Sequence, residues 1–62
     1  MIQVGDKRRD EFGVVWTVKR VLLRGGEGNM VTLTRDAGDG TIEQMPLPYS
    51  LVAFGYEAVD ED

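Results

Sequence analysis

The side chains best suited to chemistry in this sequence are carboxylates, arginines and tyrosines; it contains no histidine and no cysteine. Nucleophilic and general-base catalysis usually needs a histidine, a cysteine or paired carboxylates held in a cleft. Here the acids fall mainly in turn-like segments and at the C-terminal end, so the sequence predicts a protein that is not an enzyme. The nearest approach to a metal site is Asp36, Asp39 and Glu43. Their spacing misses the alternating ligands and distant glutamate of a calcium loop, so a solvated hairpin is expected and no metal. Gly25-Gly26-Glu27-Gly28 is glycine-rich, but no Lys-Ser/Thr pair follows it, so no phosphate-cradling loop is expected. Nor is any cofactor expected. Recognition is the chemistry that remains.

Charge offers two ways to recognise a partner. Residues 1–35 hold all seven cations (Lys7, Arg8, Arg9, Lys19, Arg20, Arg24 and Arg35) against four acids, a net of +3. Residues 36–62 hold seven acids and no cation, a net of −7, so the whole chain carries −4. Lys7 to Arg24 could form one basic patch for nucleic acid if the first two strands pair, with Phe12 available for stacking. The negative total and the acidic second half disfavour that reading. In the opposite reading the acidic half imitates nucleic acid and occupies a DNA-binding protein, although its acids are few for a mimic. The bland reading is that the halves interleave and the charges mix.

Aromatic residues supply the remaining surface. Trp16 alternates with Val14 and Val18 and is expected inside, joined by Phe54. Tyr49, Tyr56 and Phe12 are better placed for a partner, since tyrosine offers rigid apolar area with a polar tip. The predicted protein-binding residues are therefore Tyr49, Tyr56 and Phe12, together with the cations Arg8, Arg9 and Arg20 or the acids Asp36, Asp39 and Glu43.

The elements that must position these residues are short. With 62 residues the chain is one domain, burying only about 60% of its unfolded surface, with stability of about 3–5 kcal/mol. Residues 14–23 read as a long strand by their alternation. The phase changes between Val18 and Val21, which predicts a β-bulge or a sharp bend near Lys19-Arg20. Residues 30–35 form a strand with Val31 and Leu33 inward, and residues 41–45 another. Residues 7–11 are a weak first strand, expected at a sheet edge where Lys and Arg discourage pairing with other chains. The glycines of 25–29 and 36–40 mark reversals. Pro46 and Pro48 are expected to interrupt pairing, with a single 3₁₀ turn before a closing strand over 52–59. The domain spans 1–59, followed by an acidic tail over 60–62. No helical periodicity or internal repeat is evident.

Five short strands in meander order, with a 3₁₀ turn before the last, describe an all-β, five-stranded antiparallel SH3-like small barrel. The alternatives are an oligonucleotide-binding barrel and an open sheet completed by a dimer partner. Val4-Gly5-Asp6, followed by Gly13-Val14-Val15-Trp16-Thr17-Val18 and Val21, resembles the G-D, G-x-x-W-x-V-x-x-V pattern of small SH3-like proteins of bacteriophage or bacterial origin. Residues 47–52 resemble the proline–turn–tyrosine approach to the last strand of such domains. The likeness covers about half the chain. It departs in strand one, where Lys7-Arg8-Arg9 stand in place of an apolar residue. Paired tryptophans and an acidic specificity loop are also missing, so polyproline binding does not carry over.

The resemblance and the missing chemistry together imply a non-enzymatic protein–protein interaction module, a phage accessory protein that binds a host or virion protein. Alternatives are a nucleic-acid-binding barrel using the cations of 7–24, a structural virion component, and the acidic inhibitor. No segment approaches the roughly 20 apolar residues of a membrane span, and the N-terminal residues lack the order of a signal peptide. A soluble protein of the cytoplasm or the virion is expected, with no membrane partner.

Overall fold

In the computed structural model, which describes residues 1–59, five antiparallel strands form one sheet. They are β1 (Lys7–Arg9), β2 (Val15–Leu22), β3 (Met30–Asp36), β4 (Ile42–Pro48) and β5 (Glu57–Val59), with helix α1 (Tyr49–Gly55) between the last two. Their order is β4-β3-β2-β1-β5, a four-strand meander whose first strand also takes the final one as a neighbour. The acidic tail expected at 60–62 lies outside the described residues.

Alternation decides which residues face inward. Trp16 and Val18 on β2, with Val31 and Leu33 on β3, are buried together with Ile2 and Val52. Their outward neighbours are polar: Thr17 pairs with Thr34, and Arg20 with Thr32. The register shifts between Val18 and Arg20, as the phase change in the sequence predicts. Backbone bonds extend this pairing beyond β1, with the Gly5 amide donating to the Val18 carbonyl at 2.9 Å and the Val18 amide to the Asp6 carbonyl at 2.8 Å. Those bonds carry the N-terminal segment along the sheet and bring Ile2 into the core, where its amide donates to the Tyr49 hydroxyl at 3.1 Å.

Several expectations are corrected. β1 is no edge strand: it lies between β2 and β5, with Arg8 opposite both Trp16 and Ala58. In place of a large apolar residue, β1 turns the half-buried Arg8 inward, where it donates to the Tyr56 carbonyl at 3.4 Å. Both prolines lie within β4 rather than beyond it, Pro46 opposite Thr32 and Pro48 opposite Met30. Having β3 as its one neighbour, β4 is an edge, where a missing N–H that would face away from the sheet forfeits no ladder bond.

The closing strand predicted over 52–59 is reduced to β5, and the single 3₁₀ turn before it is the seven-residue α1. A 3₁₀ turn occurs instead at Gly26–Gly28, entered through Gly25 and Gly26 at φ +89° and +56°. The helix forms because Tyr49, Val52, Ala53 and Tyr56 all pack on the core, at the i, i+3, i+4, i+7 spacing of one helical face. That rotation throws Phe54 outward, so it is 91% exposed rather than joined to Trp16. Leu23, beyond the end of β2, is exposed as well.

Candidate functional site

Asp10 builds one wall of the site. Its Oδ1 accepts from the Phe12 amide at 2.9 Å and the Val14 amide at 2.8 Å. The Gly13 amide donates to the Asp10 carbonyl at 3.1 Å, and Gly13 takes φ +83°, which glycine accommodates without a Cβ clash. Closed in this way, the turn presents Phe12 to solvent at 82% exposure. The Asp10 Oδ2 accepts from Trp16 Nε1 at 3.1 Å, fixing the indole edge. The Arg35 guanidinium lies 5.4 Å from the centre of that ring and is paired to Glu43 at 2.6 Å. Attraction between cation and ring therefore adds a second constraint on Trp16.

The opposite wall is α1. Asp10, Glu11, Phe12 and Trp16 face Leu51, Gly55 and Tyr56 across a groove of about 440 Å³, with Met45 of β4 also lining it. A Cβ on Gly55 would sit 3.3 Å from Leu51 Cδ1, so glycine at that position leaves the Leu51 side chain its place along the groove.

The electrostatics are acidic at one rim. The indole N–H holds the Asp10 carboxyl below its ordinary 3.8, helped by the Val14 and Phe12 amides and by Arg35, while burial works against them. The group is therefore ionised near neutral pH. The Tyr56 hydroxyl is pushed above its ordinary 10.0, first by burial and then by the negative charges of Asp10 and Glu11. Both acids thus act on the interior of the groove. Geometry of this kind can seat an apolar side chain with a cation beside it.

The predicted site residues are distributed. Phe12 and Tyr56 meet in the groove. Tyr49, at the other end of α1, lines a separate recess of about 370 Å³ beside Gly26, Glu27 and Asn29. Arg8 faces inward, Arg9 pairs with Glu57 at 3.1 Å, and Arg20 is exposed on β2. Asp36 accepts the Gly38 amide at 2.8 Å, and Asp39 accepts the amide and hydroxyl of Thr41. Those two acids shape the β3–β4 turn, and the Thr41 hydroxyl holds Asp39 below its ordinary value, aided by the Thr41 amide. Glu43 is committed to Arg35.

Comparison with protein-family models, with curated proteins and with solved structures returns no match.

Sequence reasoning missed Asp10, Glu11, Met45 and Leu51 as parts of the site. Asp10-Glu11-Phe12-Gly13 does carry a signal, since aspartate at the first and glycine at the fourth position favour a type I turn. Leu51 has a signal too, once 49–55 is read as helix: it lies off the face that Tyr49, Val52 and Ala53 turn to the core.

Proposed function

We propose that this protein is a non-enzymatic protein–protein interaction module whose docking site is the groove between the 10–13 turn and α1. The observation that carries this reading is an apolar surface left open on a very small domain. Phe12 is 82% and Leu51 47% exposed beside Trp16 and Tyr56. Contiguous apolar surface of this sort marks an interaction site, and covering it returns about 25 cal/mol per Å².

The occupant that fits is a segment of another protein bringing an apolar side chain next to a lysine or arginine. The apolar group fills the space between Phe12, Leu51 and Tyr56, and the cation meets the Asp10 and Glu11 rim. Charge of that sign at the rim also selects against acidic segments.

Panning a random peptide library on the immobilised protein tests this. The expected peptides pair an apolar residue with Lys or Arg and lose binding to a Phe12→Ser, Leu51→Asp variant with an unchanged circular dichroism spectrum. Failure to enrich any sequence, or enrichment that survives in that variant, would rule the groove out.

A further inference from the structure

The extra residue in β2, which the bulge absorbs, is not required by the inward pattern of the core. Val18, Arg20 and Val21 face Leu33, Thr32 and Val31 in turn, so Lys19, between Val18 and Arg20, is passed over in the pairing with β3. Without Lys19, plain alternation would still point Trp16, Val18 and Val21 inward. Consecutive strand residues normally point to opposite faces. The extra residue instead lets Lys19 stand exposed beside an exposed Arg20, and bulges are a common device for re-aiming a side chain at a functional surface.

Among the described residues, neither Lys19 nor Arg20 has an ion pair or a side-chain hydrogen bond. With Thr32 and Gln44 they line a recess of about 150 Å³. It gathers an ammonium, a guanidinium, a hydroxyl and a primary amide, all of them donors. Such a set suits a tetrahedral oxyanion, which a guanidinium can grip through two parallel hydrogen bonds. No aromatic residue lines the recess, so a nucleobase has nothing there on which to stack.

Two further cations lie on the same face. Lys7 is opposite Thr17 and Arg9 opposite Val15, which puts both on the outer face. Lys7 donates to the Thr17 hydroxyl at 3.0 Å, and Glu57 offsets the charge of Arg9 at 3.1 Å, so neither cation presents an open contact. The groove belongs to the other side of the sheet, where Trp16 and Met45 point.

We propose that the Lys19–Arg20 recess binds a backbone phosphate of a nucleic-acid strand without reading its bases. The chain's net charge of −4 makes this a local contact, strong only at low ionic strength.

Amide chemical shifts of the isotope-labelled protein test the proposal, using a mixed-sequence single-stranded DNA octamer, inorganic phosphate and a polyglutamate peptide of equal charge. The DNA is expected to move Lys19, Arg20, Thr32 and Gln44 while leaving Phe12 and Leu51 in place. Arg20→Gln should weaken it about tenfold, as loss of a charge-assisted contact implies, and lower the salt slope by about one. Deletion of Lys19 should keep a dispersed spectrum and also lose affinity. If that deletion does not fold, Arg20→Gln alone decides, since it alters an exposed side chain only. The proposal is overturned by no response to DNA, by an equal response to polyglutamate, by inorganic phosphate binding as tightly as the octamer, or by unchanged affinity in Arg20→Gln. None of these results touches the groove, whose peptides report on different residues.

Discussion

Asp10 engages both carboxylate oxygens, one with the amides of its own turn and the other with the Trp16 indole. Its ionised form is therefore favoured by the fold, and linkage fixes the sign of the pH effect. As pH falls below 3.8 the unfolded chain binds a proton at this position before the folded chain does. The contribution is intact above that value and is lost as pH falls through the lower folded-state value. Asp39 acts in the same window and the same direction. Asp10→Asn should thus flatten, without abolishing, the acid limb of a plot of urea midpoint against pH. The same variant should bring the Tyr56 ring resonances to titrate closer to 10.0, because one of the charges raising that value is gone. An unchanged acid limb would contradict this account of Asp10. Asp10 and Gly13 carry a turn signal, but the strand expected over 7–11 took in Asp10 and Glu11, whereas β1 ends at Arg9. The bond from Asp10 to the indole was not legible, since that depends on how far β2 carries Trp16 back along the turn.

Among the elements, β2 and β3 declared themselves through alternation, and even the bulge showed as a change of phase between Val18 and Val21. α1 was misread although its periodicity was present: Tyr49, Val52, Ala53 and Tyr56 are spaced for a helix. Seven residues give barely two turns, and Val, Phe and Tyr favour strands by propensity, so the local preference pointed away from what packing selects. β4 was cut short for a related reason. Proline argues against a central strand, and only the sheet order reveals that this one is an edge. The prolines there also have a protective role. Replacing both Pro46 and Pro48 with threonine restores two donors to an exposed edge and should raise the tendency to associate. Light scattering at rising concentration would check it, and a variant that stays monomeric would show that the prolines do not guard this edge.

For the molecule as a whole, the margin is narrow. Leu33 is fully buried at the centre of the cluster with Val18, Val31 and Val52. Leu33→Ala is expected to cost about 2–5 kcal/mol, comparable with the about 3–5 kcal/mol available to a domain of this size. A urea melt should find the variant largely unfolded at 25 °C, and a midpoint close to that of the parent would show that the core extends beyond these residues. The sequence announced the charge asymmetry between its halves, but not how the fold distributes it. Register decides that, by sending Lys19 and Arg20 to one face of the sheet and the acid-rimmed groove to the other.

The pairing of β1 with β5 joins residues 7–9 to residues 57–59. On a ribosome, β1 can dock on β2 early, yet its other flank stays bare until residue 59 has cleared the exit tunnel. During that interval Lys7, Arg8 and Arg9 line a strand with open hydrogen-bonding groups. Closing the sheet therefore waits on residues 57–59, and β1 gains its second neighbour last.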